Sequence, residues 1–342
     1  MKKKLEELDL LRAIGCIAVI IIHVTASTLI RYRPHSPHLK LAYIINTYTK
    51  FAVPLFIFIS GIVLLHVYRD KPLSFFKFMK SRLMSIGVPY LIWNLIYYMV
   101  FLKRGIYPPS PRFFIEHLFM GTLLYHFYFV VIIFQFYLLS NVWLYCFKRF
   151  NPTSLLLIAA IINFVSMKYM YFKYSDRLFL NYLFFFILGC YLVTLKDKTM
   201  EALYRFRSIL YILAIASGGL LTQQLYLVRV SKIRPLPFVD FLWYFYSCLA
   251  IIALYFAATS IAKKYGRVVT LLKPVGDASF YIYLSHPLFL MVSILIIQRL
   301  AIQSITQETI FNLIFVSITS IAFGILYINR NKLISRLGLA IK

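Results

Sequence analysis

Ten runs of about 20 mostly apolar residues follow one another along the chain, each set off by a short segment holding Lys, Arg or Pro. A helix rising about 1.5 Å per residue needs about 20 residues to cross a hydrocarbon layer of ~30 Å. The runs therefore predict spanning helices near 9–30, 43–67, 84–102, 122–146, 153–172, 178–195, 208–228, 238–262, 278–298 and 309–329. Strands of an outer-membrane barrel would instead alternate apolar and polar over ~10 residues, a pattern these runs lack. The expected fold is all-α, a polytopic membrane protein of about ten transmembrane helices forming a single domain over residues 1–342.

The segments between runs add detail. The two longest, 68–83 and 103–121, are too short to bury a core of their own. The first, RDKPLSFFKFMKSR, alternates Phe with Lys and Arg and predicts an amphipathic helix lying on the inner membrane surface. PPSPR at 108–112 predicts an outer turn. The opening MKKK and apolar run resemble a secretory signal, but the run is too long and carries Arg12 and His23, so an uncleaved first span is expected.

Charge sets an orientation. One alternate set of loops (the N-terminus, 68–83, 147–152, 196–207, 263–277 and 330–342) holds 22 Lys and Arg, and the other set holds 12. Cytoplasmic loops carry the excess of basic residues, so both termini are expected in the cytoplasm. A hydrophobic content of 61% far exceeds the ~45–50% of soluble domains. The formal charge of +26 is spread over these loops with no domain-sized basic surface, which argues against nucleic-acid binding and for contact with the lipid bilayer. Cys16, Cys146, Cys190 and Cys248 all fall inside predicted spans without metal-ligand spacing and read as small apolar residues, so no metal is expected. No internal repeat suggests an inverted-repeat transporter.

Candidate chemistry begins in the first span. Arg12 and His23 are eleven residues apart, which in a helix is about 16 Å of rise and roughly 20° beyond three full turns. Ionisable side chains in hydrocarbon are costly, and two on one helix face point to function. Arg12 suits phosphate recognition; its alternatives are a headgroup-facing cation or an ion pair with Asp9. His23, near pH 6.5 in water and neutral when desolvated, is a base that can take a proton from an attacking alcohol or amine. His126 and His286 also lie within or at the mouth of apolar runs, where a bond to a neighbouring helix is the alternative to chemistry. Pro287 should bend its helix just beyond His286 and free the carbonyl of Tyr283, making a polar spot in the membrane. His35 and His38 read as solvated, His66 as interfacial and His117 as surface. In FAVPLFIFISGIVLL, Pro54 bends and Gly61 allows close packing. Nucleotide-binding glycine loops, HExxH and GxSxG are missing, and so are buried carboxylate pairs of a proton-driven pump.

Six segments in order resemble the motifs of acyltransferase family 3, the bacterial integral-membrane acyltransferases. They are the Arg12–His23 pair, FAVPLFIFISG, RLMSIGVPYLIWNLIYY, YHFYFVVIIFQFYLL, NYLFFFILGCYL and GDASFYIYLSHPL, spread over nearly the whole chain. The resemblance implies acyl transfer from a cytoplasmic acyl-CoA co-substrate, with no bound cofactor, to a hydroxyl of a cell-envelope glycan or lipid-linked acceptor at the bacterial cytoplasmic membrane. It implies His23 as the catalytic base, Arg12 and Arg82 as donor-binding cations, and His126 and His286 on the cavity or acceptor side. Export of a polysaccharide without acyl transfer is the alternative. Many members carry a second Arg three residues after the first at the third-span entry. Here Ser85 follows Arg82, so a paired-Arg clamp is not formed by these two positions.

Overall fold

The computed structural model describes residues 5–232, 234 and 238–336. Fifteen α-helices and no strand are found among the described residues. They are α1 (Glu6–Leu29), α2 (Pro37–Thr47), α3 (Ala52–Tyr68), α4 (Phe75–Arg82), α5 (Val88–Lys103), α6 (Pro111–Met120), α7 (Tyr128–Leu138), α8 (Ser140–Arg149), α9 (Pro152–Tyr169), α10 (Leu183–Thr194), α11 (Asp197–Arg205), α12 (Arg207–Ser231), α13 (Val239–Lys264), α14 (Gly266–Arg299) and α15 (Ile305–Arg336). Among the described residues, eight stretches are long and apolar enough to span a membrane, and two bent pairs raise the number to ten if each is one span. The chain is a multi-pass helical membrane protein.

Local chemistry sets the helix ends. Ser36, Ser110 and Asn151 each accept a backbone N–H of the first turn, and each is followed by Pro at the first helical position, where no N–H is needed. Gly121 closes α6 in the left-handed conformation (φ 61°).

Four expectations change. The fourth span begins at Tyr128, not near 122, and bends by 53° between Leu138 and Ser140. The sixth is preceded by short 3₁₀ turns and turns by 117° into α11. Segment 68–83 does not form a separate surface helix, since α4 runs through a π-helical turn, Leu83–Gly87, into the third span. PPSPR does turn, but Ser110 and Pro111 then start α6 within the expected loop.

The chain forms two compact units, Met1–Phe56 with Lys198–Lys342, and Ile57–Asp197. In the first, α1 packs along α14 and α15 through a core of Ala13, Cys16, Ile20, Val24, Ala278 and Ile282. Beyond α1, the Arg31 guanidinium grips both carboxylate oxygens of Glu308 on α15, a bidentate pair that fixes the two helix ends together. In the second, α3 and α10 touch backbone to backbone at Gly61 and Gly189.

Candidate active site

α1 is unbroken from Glu6 to Leu29, so Arg12 and His23 do share one helix face, about 16 Å apart along the axis. At the Arg12 end, Nη1 donates to Asp9 Oδ1 at 3.1 Å, which is the ion pair the spacing allowed. Asp9 is buried beside Gly276 of α14, where a Cβ would come within 2.4 Å of the Asp9 carbonyl oxygen. Close backbone contact thus sets the carboxylate that orients the guanidinium. Arg12 remains 30% exposed, and its Nε and Nη2 have no partner among the described residues. A cation held on one side and open on the other suits an incoming phosphate.

At the other end, the half-buried His23 ring stacks on His286 of α14, with centroids 5.1 Å apart and planes 19° from parallel. His286 is fully buried. Its Nδ1 lies 2.7 Å from the carbonyl oxygen of Tyr283. Tyr283 is four residues before Pro287, whose missing N–H leaves that carbonyl without its helical donor. The imidazole replaces it, and α14 continues as one helix through Pro287. A carbonyl only accepts, so Nδ1 carries the proton and the neutral ring keeps its lone pair on Nε2. Stacked rings share no in-plane N–H···N bond, so His286 fixes the plane of His23 and does not trade a proton with it directly.

Asn46 of α2 also belongs to this end and was not expected. Its Nδ2 donates to Ile22 O (3.0 Å) and to Thr25 Oγ1 (2.9 Å), the two positions that bracket His23. The signal in the sequence is an amide inside the apolar run 43–67, which the structure buries to 5% exposure. On the α1 face between Arg12 and His23, Cys16, Val19 and Ile20 are buried, and the Cys16 thiol lies 3.9 Å from Ser279 O. Cys16 and Ile20 belong to the core shared with α14, so this strip of α1 is packed.

The other two predicted site residues lie in the second unit. Arg82 ends α4 just before the π-helical turn, with its guanidinium 5.0 Å from the Phe78 ring centroid and 5.1 Å from that of Tyr137. These aromatic faces hold the cation while its Nε is buried without a hydrogen-bond partner among the described residues. Ser85 lies exposed within the π-helical turn. His126 precedes α7 in the turn after α6, 1% exposed, against the rings of Phe127 (4.3 Å), Tyr125 (5.5 Å) and Tyr97 (6.2 Å).

The fold is that of a multi-pass helical membrane protein, and it brings His23 of the first span against His286 of a late one. The chain belongs to acyltransferase family 3, whose acyltransferase-domain model matches residues 5–329. It is 25% identical over 309 residues to a Staphylococcus aureus protein named "Probable poly-beta-1,6-N-acetyl-D-glucosamine export protein", covering 85% of this chain and 83% of that one. It is 24% identical over 310 residues to a Bacillus subtilis protein named "Putative membrane-bound acyltransferase YfiQ", covering 84% of this chain and 82% of that one. A Staphylococcus epidermidis protein with the export name is 26% identical over 85% of this chain and 82% of its own. No solved structure matches the chain significantly.

Proposed function

We propose that this protein takes an acetyl or succinyl group from cytoplasmic acyl-CoA and places it on a hydroxyl of a cell-envelope glycan or lipid-linked acceptor. The observation that carries this reading is the His23 imidazole, held flat against a tautomer-locked His286 inside a membrane helix that also bears a half-open cation. In the proposed step the acceptor hydroxyl loses its proton to His23 as its oxygen bonds the thioester carbon. Collapse of the tetrahedral intermediate breaks the C–S bond, and the proton passes from the imidazolium to the leaving thiolate. Arg12 contacts donor phosphates at the face where α1 begins. Arg82 is assigned the same chemistry in its own unit, its planar charge braced by Phe78 and Tyr137. His126 is assigned to the acceptor side. The loop charges support cytoplasmic termini, and a bacterial cytoplasmic membrane is the proposed location.

The test is transfer of label from acyl-CoA to candidate glycans by the purified chain in liposomes, paired with mass spectrometry of envelope glycans with and without the gene. Acyl groups lost from an otherwise exported polymer support transfer. The names of the staphylococcal relatives favour a second reading, export alone. Loss of export with unaltered glycan chemistry would establish that reading and end the first.

Arg12→Gln removes charge-assisted bonds of about 1.5–3 kcal/mol each. The expected outcome is an apparent KM for acyl-CoA raised about tenfold to a hundredfold with kcat little changed, read from initial rates. An unaltered KM would remove Arg12 from the donor site.

A further inference from the structure

Lys50 lies deep in the second span. The apolar helical stretch runs from Pro37 to Tyr68, and Lys50 sits roughly 20 Å from the Pro37 end at about 1.5 Å per residue. An ammonium at that depth is costly, and such charges serve a partner or a substrate. Among the described residues, no carboxylate pairs with it.

The backbone around it is not ordinary helix. α2 stops at Thr47 and α3 resumes at Ala52. Across the gap, the N–H groups of Thr49, Lys50 and Ala52 reach back only three residues, at 3.3, 3.1 and 3.1 Å. Pro54 supplies no N–H to the carbonyl of Lys50, four residues earlier. The Tyr48 carbonyl is taken by the Tyr246 hydroxyl at 2.9 Å. Broken helices at membrane depth occur where backbone is buried in protein or lines a polar cavity.

Register sets the height of this break along α1. Asn46, one helical turn before Lys50, bonds the α1 atoms that bracket His23. Leu55 and Phe56, just over one turn after it, meet α1 at Gly15, where a Cβ would lie 3.1–3.2 Å from their side chains. Lys50 is therefore level with α1 between Gly15 and Ile22, above Arg12 and about one turn below His23. Cys16 and Ile20 pack into the core shared with α14, and the α2–α3 break supplies polar backbone at the same level of α1.

We infer that the Lys50 ammonium stabilises the oxyanion formed on the acyl carbonyl, an assignment that rests on the transfer reaction proposed above. As the acceptor oxygen bonds the carbonyl carbon and its proton goes to His23, the carbonyl π pair moves onto oxygen beside Lys50. When the C=O bond re-forms, the thiolate leaves with that proton. Nothing beyond acyl donor and acceptor is consumed.

The experiment compares wild type, Lys50→Met and Lys50→Arg in liposomes with labelled acyl-CoA and purified envelope glycans as acceptors. Lys50→Met should lower kcat by about 10²–10³-fold, the usual effect of losing one oxyanion contact, with KM for acyl-CoA within about threefold. Lys50→Arg should recover at least tenfold of that loss. Met is apolar and similar in length, so its melting temperature in detergent should equal or exceed that of wild type, as when function is held at the expense of stability. An unchanged kcat in Lys50→Met, a loss confined to KM, or no recovery by Arg in a folded variant overturns the assignment. Wild-type protein that transfers no acyl group overturns the underlying reaction instead, so the two failures are distinguishable.

Discussion

His23→Ala is expected to lower kcat for acyl transfer by 10²–10⁴-fold, the usual contribution of a positioned general base. The estimate follows from position as well as residue type. The ring lies against His286, which is locked by the carbonyl that Pro287 frees, and both neighbouring anchor points on α1 are held by Asn46. A base confined to one plane meets its proton in a repeatable geometry and loses little freedom in the transition state. His23→Gln is the informative companion, because it keeps polar hydrogen bonding but has no basic lone pair on a ring nitrogen. Both variants should reach the membrane at wild-type levels and retain acyl-CoA binding. Near-normal turnover in either, at equal protein level, would remove His23 from the chemistry.

The largest structural effect is expected at Gly61 and Gly189. A Cβ on Gly61 would come within 2.1 Å of the Phe186 carbonyl oxygen, and one on Gly189 within 2.1 Å of that of Phe58. The obstruction is backbone on each side, so no side-chain rotation relieves it. The two helices would have to separate along a buried contact that also includes the Cys190 thiol, 3.4 Å from the Gly61 carbonyl. Overpacking that a core can absorb costs about 1–3 kcal/mol, and this cannot be absorbed locally. Gly61→Leu or Gly189→Leu should therefore abolish accumulation of folded protein, scored by protease resistance and monodispersity in detergent. Gly266→Ala, which has nothing within 4 Å of the added carbon, should behave as wild type. Equal behaviour of all three would refute the close-contact account.

The spans were legible because hydrocarbon imposes a length and a polarity that any window of about 20 residues reveals. Their breaks were less so. The bend at Leu139 and the sharp turn after Thr194 occur inside or beside runs whose hydropathy barely changes. Arg12 and His23 stood out because helical spacing within one span is a local property. Their partners did not, since stacking on His286 joins positions far apart in the chain and only packing of α1 on α14 brings it about. The carbonyl freed by Pro287 was readable, and the imidazole that occupies it was adjacent in sequence. Pro54 is visible too, whereas Lys50 is masked in the sequence because one lysine hardly lowers the mean hydropathy of a run containing so many Phe, Ile and Leu.

The unit that holds His23 is composed of the first 56 residues and everything after Asp197. During synthesis, α1 enters the bilayer long before the ribosome has made α14, and until then its imidazole has no stacking neighbour. Asn46 and the Asp9–Arg12 pair are local enough to shield the early helices while they wait. Formation of the His23–His286 stack is thus a late event in biogenesis, and a nascent chain stalled before Gly266 would be inserted without it.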